Sequence, residues 1–100
     1  MSLPIVLRSV AASEVRGTIR WYDEQREGLG DNFARAVFET LELIGEMPEL
    51  HQVIEPARTI RRALLRRFPY AVYYITETER IVVLAVLHVA RDPSSWHERE

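Results

Sequence analysis

The chain of 100 residues contains no cysteine, which excludes disulfide bonds and thiolate zinc sites and is typical of a reducing compartment. Its longest apolar run, residues 81–87, is too short to cross a bilayer. Residues 1–10 lack the basic start and apolar core of a signal peptide. We therefore expect a cytoplasmic protein. With 47% hydrophobic residues, a chain of this length is expected to form one domain over residues 1–100.

Signatures of cofactor and metal sites are also missing. The three histidines, His51, His88 and His97, are far apart and lack the spacing of metal ligands. Gly28 and Gly30 lack the spacing and the preceding strand of a phosphate-binding loop. Serines occur only near the ends of the chain and indicate no nucleophile paired with a histidine. We expect no metal and no cofactor.

Charge is divided unevenly along the chain. Lysine is absent, and all 13 basic residues are arginine. Residues 1–57 hold five arginines against ten acids, whereas residues 58–91 hold seven arginines against two glutamates. Arginine presents a planar fork of donors that fits phosphate or carboxylate, and it does not act as a general base. The basic segment predicts a surface that meets an anionic partner, although a merely solvated face in a chain rich in arginine is the alternative.

Hydrophobic spacing predicts two amphipathic helices near the start of the chain. The first covers about residues 11–26, and the second runs from an N-cap at Asp31 to near Gly45. The short break at residues 27–30 predicts that they form an antiparallel hairpin.

Extended segments are predicted on both sides of this helical hairpin. Residues 4–8 indicate an edge strand, residues 49–58 a loop, and residues 60–65, 70–75 and 81–89 three further strands. The order β-α-α-β-β-β is typical of an α+β fold with the helical hairpin packed on one face of a small antiparallel sheet. The other face, bearing arginines, is expected to be open.

Candidate functional residues cluster around the predicted strand ends. His88 ends a strand, and Arg91 follows three residues later. A histidine beside an arginine can act as an acid–base group on a phosphate that the arginine holds. The alternative for His88 is a partly buried residue that is hydrogen-bonded at the end of its strand. The candidates for binding a target or a phosphate are Arg62, Arg66, Arg67, His88, Arg91 and Trp96.

The order and spacing of several landmarks over residues 4–99 carry a family resemblance. The landmarks are Trp21-Tyr22, Gly28-Leu29-Gly30 followed by Phe33, Pro48, Arg66-Arg67-Phe68-Pro69-Tyr70, Tyr73-Tyr74, Ala85-Val86-Leu87-His88, Arg91-Asp92-Pro93 and Trp96. In this respect the chain resembles toxins of the RelE/ParE superfamily, the toxic half of bacterial type II toxin–antitoxin (plasmid stabilisation) modules. The β-α-α-β-β-β order derived above agrees with the fold of that family.

What the resemblance implies about mechanism depends on the branch. RelE-like toxins cleave mRNA on the ribosome with basic strand residues and a late arginine and tyrosine, whereas ParE-like toxins poison DNA gyrase by contact. This chain has Ala71 where the nucleases tend to carry an arginine, and no tyrosine follows Tyr74. The resemblance is therefore closer to the ParE-like branch and implies a non-nucleolytic gyrase inhibitor. The alternatives are a ribosome-dependent mRNA endonuclease that uses His88 and Arg91, and a non-toxic binding module of the same fold.

The resemblance also implies a protein partner. Toxins of this kind are held inactive by an antitoxin whose amphipathic C-terminal segment wraps around them. A dimer, or a heterotetramer with the antitoxin, is the expected assembly. The outer surfaces of the helices and the sheet edge near residues 4–8 are expected to receive the antitoxin, because free strand edges and apolar grooves accept added segments.

Overall fold

The computed structural model describes residues 2–91, so the predicted site residue Trp96 lies outside the described residues. Two helices and five strands confirm the predicted α+β fold. Neither helix within residues 2–91 combines the length and apolarity that crossing a bilayer requires. In chain order the elements are β1 (Ile5–Leu7), α1 (Ser9–Gln25), α2 (Leu29–Glu46), β2 (Gln52–Glu55), β3 (Ile60–Leu64), β4 (Tyr70–Thr76) and β5 (Ile81–His88).

The strands form one sheet in the order β1-β5-β4-β3-β2. The pairs β2–β3, β3–β4 and β4–β5 are antiparallel, whereas β1 pairs in parallel with β5. The sheet is therefore mixed, which corrects the expectation of a purely antiparallel sheet. Strands joined by a short turn must pair antiparallel. β1 and β5 are separated by most of the chain, so their pairing is not restricted in this way.

One strand was not predicted, and one helix begins earlier than predicted. β2 lies within residues 49–58, which the sequence indicated as a loop. It is a four-residue edge strand with an irregular register, too short for alternation to be recognised. α2 begins after Gly28, whose φ of 92° lies in the left-handed region, and not at Asp31.

The helical hairpin packs on one face of the sheet, as predicted. Its buried stripe meets the inward side chains of the two central strands, β4 and β5, and forms the main core. The core residues contributed by α2 are Phe33, Ala36, Val37 and Ile44, and those contributed by β4 and β5 are Val72, Tyr74, Ile81, Val83 and Val86.

The opposite face of the sheet is not the open, arginine-bearing surface that was expected. Seven side chains form a second buried cluster there, and none is more than 3% exposed. Only Arg62 of the two β3 arginines lies on this side, opposite Tyr73, and its guanidinium donates to Gln52. Strands that are apolar on both sides, such as β5, indicate burial on both faces. The cluster consists of Ile60, Ala71, Tyr73, Val82, Leu84, Ala85 and Leu87.

The two helices are in close contact at Gly30. Its N–H donates to the carboxylate of Asp23 over 2.8 Å. A Cβ placed on Gly30 would lie 2.5 Å from the carbonyl oxygen of Ile19 and 2.7 Å from the Asp23 carboxylate. Only glycine fits at this crossing, because the obstructing atom is backbone that cannot move without separating the helices.

Tyr74 and His51 fix the chain between α2 and β2. The buried Tyr74 hydroxyl donates to the carbonyl oxygen of Pro48 over 2.6 Å. The tyrosine has one proton to give, so the Nδ1–H of His51, 3.1 Å away, donates to the tyrosine oxygen. The Arg61 guanidinium donates to the carbonyl oxygens of Glu49 and His51. Burial raises the pKa of Tyr74 to about 12, although Arg61 opposes the rise. The tyrosine therefore stays a neutral donor.

We expect Gly30→Ala to lower the free energy of unfolding by about 2–3 kcal/mol, since the added methyl overlaps a backbone carbonyl. Gly17→Ala is the matched control. Its Cβ would meet only the Arg20 guanidinium, at 3.9 Å, and alanine in a helix interior should raise stability by about 0.5–1 kcal/mol. Urea unfolding of both variants measures the difference. Equal stabilities would show that the helix crossing tolerates a side chain.

We also expect stability to fall in mild acid through His51. Burial, and then the charge of Arg61, lower the pKa of His51 below 6.5 in the folded protein. Below about pH 6.5 the unfolded chain therefore binds this proton first, and folding loses free energy as the pH falls towards the lower, folded-state pKa. His51→Asn keeps a donor near the Tyr74 oxygen but does not titrate. Urea unfolding at about pH 7.5 and 5.5 should show a smaller loss for this variant than for wild type. Identical losses would contradict the assignment.

Candidate functional site at the basic end of the sheet

Four of the six predicted binding residues lie at one end of the sheet, where β3 leads into β4 and where β5 ends. Arg66 and Arg67 lie in the β3–β4 loop, residues 65–69, and His88 and Arg91 lie at and beyond the end of β5. Tyr70 pairs with His88 across the sheet, and the N–H of Val89 donates to the Pro69 carbonyl oxygen over 2.9 Å. We call this region, with Arg35 described below, the basic end.

An aromatic cluster ties the β3–β4 loop to both helices. The Phe68 ring centroid lies 5.0 Å from that of Tyr22 on α1 and 5.3 Å from that of Phe33 on α2, both in edge-to-face geometry. Tyr70 packs edge-to-face between Phe33, at 5.1 Å, and His88, at 5.3 Å. These contacts fix the loop that carries the arginine pair.

The backbone of the β3–β4 loop is strained at Arg67. Its φ of 72° is left-handed, a conformation that costs a residue other than glycine about 1–2 kcal/mol. The N–H of Leu65 donates to the Tyr70 carbonyl oxygen over 2.9 Å, and the N–H of Tyr70 donates to that of Phe68 over 2.8 Å. These hydrogen bonds and the aromatic cluster hold the loop in its strained conformation. The side chains of Arg66 and Arg67 are exposed.

The first groove of the basic end lies between α2 and the β3–β4 loop, and we call it the arginine groove. It has a volume of about 420 Å³. Arg35 was not a candidate from the sequence, because it stands on a helix in the acidic half of the chain, far from the arginine pair. Only the packing of α2 on the sheet brings them together. The lining residues are Leu29, Asn32, Arg35, Ala36, Glu39, Arg66, Arg67 and Phe68.

The second groove, about 450 Å³ in volume, lies between α1 and the end of β5. His88 and Arg91 line it, together with Trp21, whose side chain is 51% exposed. β1 pairs only with residues 81–83 of β5, and further along this edge the N–H of Val86 donates to the Glu14 carboxylate over 3.0 Å. Glu14 thus occupies a strand edge that would otherwise be unpaired at this point.

The hydrogen bonding of His88 limits what it can do chemically. The N–H of Ala90 donates to His88 Nδ1 over 3.0 Å. Because Nδ1 is the acceptor, neutral His88 carries its proton on Nε2 and presents a donor there, not a base. Within residues 2–91 no side-chain hydrogen bond joins His88 to Arg91. The geometry corresponds to the alternative of a half-buried, hydrogen-bonded histidine at a strand end.

Arg62 does not belong to this site. It lies on the sheet face opposite the helices, where its guanidinium is 3.2 Å from the Gln52 side-chain oxygen. No group of three or more histidine, aspartate or glutamate side chains within the described part of the chain is placed to hold a metal ion. Among residues 2–91, the basic end offers cations, an exposed indole and two shallow grooves, which are the features of a binding surface.

Comparison with known proteins identifies the family. The family model for the ParE toxin of the type II toxin–antitoxin system parDE matches residues 5–93. A solved structure, described as a chromosomal ParDE TA system from P. aeruginosa, is similar in fold with a TM-score of 0.76. It is 11% identical in sequence, and the alignment covers 87% of this chain and 96% of that one. No curated protein sequence matches. Together with the α+β architecture, these matches confirm the resemblance, and the chain belongs to the ParE toxin family of type II toxin–antitoxin systems.

Proposed function

We propose that this toxin arrests bacterial growth in the cytoplasm by binding DNA gyrase, in a contact that involves no chemical step. The family match supports a toxin, and the resemblance to the ParE-like branch favours gyrase as the target. The observation that carries the absence of catalysis is the hydrogen bond from Ala90 to His88 Nδ1. It leaves His88, the only histidine of the basic end within residues 2–91, without a basic nitrogen directed at a ligand.

The requirements of RNA cleavage explain why this observation matters. Cleavage needs a base for the 2′-hydroxyl, a cation for the phosphate and an acid for the leaving oxygen. The arginines of the basic end supply only the cation, because an arginine side chain stays protonated and does not act as a general acid or base. Ala71 is fully buried on the far face of the sheet, and Tyr70 packs within the aromatic cluster. The basic end therefore suits binding better than proton transfer.

Trp21 and the exposed arginines are the side chains we assign to target contact. Tryptophan and arginine are the residue types most often found as energetic anchors of protein interfaces. Trp21 lies beside His88 and Arg91 in the second groove, and Arg66 and Arg67 lie on the neighbouring loop. All five therefore belong to one end of the molecule.

Purified toxin at micromolar concentration is expected to block DNA supercoiling by gyrase and to leave a message intact in a translation extract. His88→Asn should retain the inhibition within about twofold, because its side-chain oxygen still accepts the Ala90 N–H and no proton transfer is needed. Unaffected gyrase would reject the proposed target. Cleavage of the message that His88→Asn abolishes would establish the endonuclease alternative instead. Normal growth after induced expression without antitoxin would indicate the non-toxic binding module.

We assign the antitoxin to a different surface, the apolar groove between β1 and α2. This groove of about 370 Å³ includes Leu3, Ile5 and Leu7 on one side and Phe38 and Leu41 on the other, and Glu42 and Glu46 also line it. Phe38 is 61% exposed, and β1 is one of the two edge strands of the sheet. A partner segment can pair with this edge and bury its apolar side chains in the groove.

We expect Phe38→Glu to weaken binding of the antitoxin encoded with this toxin by about 2 kcal/mol or more, since a charge would enter an apolar contact. Growth arrest without antitoxin should persist. Leu50→Glu is the matched control, because Leu50 is 70% exposed and does not line the groove. Co-purification and rescue of growth by the antitoxin are the measurements. Undiminished rescue of Phe38→Glu would place the antitoxin elsewhere.

A further inference from the structure

The three guanidiniums of the arginine groove have no anionic partner in the described chain. Arg58 and Arg80 pair with Glu55 and Glu77. Within residues 2–91, by contrast, Arg35, Arg66 and Arg67 form no ion pair and no side-chain hydrogen bond. Like charges collected in one concave surface repel each other, so an anion bound among them relieves that repulsion as well as gaining its own contacts.

The groove is built on rigid supports. Arg35 stands on α2, and Phe68, packed against Tyr22 and Phe33, holds the loop that carries the other two arginines. The left-handed backbone of Arg67 is retained without a glycine, and strain of this kind is concentrated at functional positions. The backbone of all three arginines is therefore already fixed before a ligand binds.

The remaining lining residues indicate the chemistry of the ligand. The groove begins beside Leu29 and Asn32 in the first turn of α2, where the helix dipole adds partial positive charge. Glu39 supplies the only carboxylate among the lining residues. Apolar atoms of Leu29, Ala36 and Phe68 lie between the cations. This mixture fits a segment that combines carboxylates with apolar side chains.

A nucleic acid fits the surroundings less well. Residues 1–57, which include both helices, hold ten acids against five arginines. A long phosphate backbone is charged along its whole length and would be repelled by carboxylates within a screening length of about 8–10 Å, whereas a peptide can place its carboxylates at the arginine groove and apolar side chains elsewhere.

We propose that the arginine groove binds an acidic peptide segment of the antitoxin through Arg35, Arg66 and Arg67. The identity of the partner rests on the function proposed above, whereas the acidic character of the ligand does not. Continuity with the apolar groove supports the assignment. Phe38 follows Arg35 by three residues on α2, a spacing that puts both on neighbouring turns of one helix face. A single partner segment running along α2 can therefore fill the apolar groove and then neutralise the arginines that we assign to the target.

Fluorescence anisotropy with a labelled peptide of alternating glutamate and leucine tests the proposal. The peptide is expected to bind, its glutamine counterpart is not, and an oligouridylate of the same length should bind more weakly. Arg35→Gln and Arg66→Gln should each weaken binding of the acidic peptide by about threefold to tenfold. Arg80→Gln makes the same change of charge at the β4–β5 turn, outside the groove, and should leave binding unchanged.

Arg67→Gly separates loss of binding from loss of folding. It removes a guanidinium and the left-handed strain together, so it should weaken peptide binding without lowering the midpoint of urea unfolding. Unchanged binding in Arg35→Gln and Arg66→Gln, or tighter binding of the oligouridylate than of the acidic peptide, would overturn the proposal.

The antitoxin encoded with this toxin should displace the labelled peptide. Failure to displace it would refute the assignment to the antitoxin, while peptide binding would still identify an acidic ligand. None of these measurements involves gyrase, so their outcome is independent of the proposed target.

Discussion

The packing of Phe33 against Tyr22, Phe68 and Tyr70 is the interaction on which the basic end of the molecule depends. The Tyr22 ring is stacked on Phe33 and the other two contacts are edge-to-face, and each such contact contributes about 0.5–1.5 kcal/mol beyond the area that it buries. Several such contacts exceed the cost of about 1–2 kcal/mol for the left-handed backbone of Arg67. The cluster can therefore hold the β3–β4 loop in a conformation that the loop would not adopt by itself. Without it, Arg66 and Arg67 would have no fixed relation to Arg35 on α2.

The sequence has an acidic first half and a basic segment after it, but the folded protein does not have one acidic and one basic surface. Arg58 and Arg80 pair with nearby glutamates, and Arg61 donates to two carbonyl oxygens beneath the α2–β2 connection. Much of the basic segment is therefore used to build the fold. Arg35, from the acidic half of the chain, joins Arg66 and Arg67 instead. The local excess of arginine predicted a binding surface in residues 58–91, whereas the arginine groove is assembled from both halves of the chain.

Apolar spacing in the sequence predicted the helices and strands whose formation depends mainly on nearby residues. The helical hairpin and strands β3, β4 and β5 were predicted within a few residues, because their apolar spacing is long and regular. The missed features depend on contacts between distant residues. They include the short edge strand β2, the parallel pairing of β1 with β5 and the second buried face around Tyr73. The candidate site divides in the same way: His88 and Arg91 are neighbours in sequence and could be proposed from it, whereas Arg35 meets Arg66 only through the packing of α2.

The short turn after β5 gives His88 a structural role. The N–H of Ala90 donates to its imidazole, and the N–H of Arg91 donates to its carbonyl oxygen over 2.9 Å. Together these bonds fix the backbone direction at Arg91. The nitrogen that a nuclease would need as a base is thus used to position a cation. A protein that acts by contact requires such fixed positions, since rigid side chains lose less entropy on binding. In the contact mechanism proposed above, the histidine contributes through the geometry of this turn.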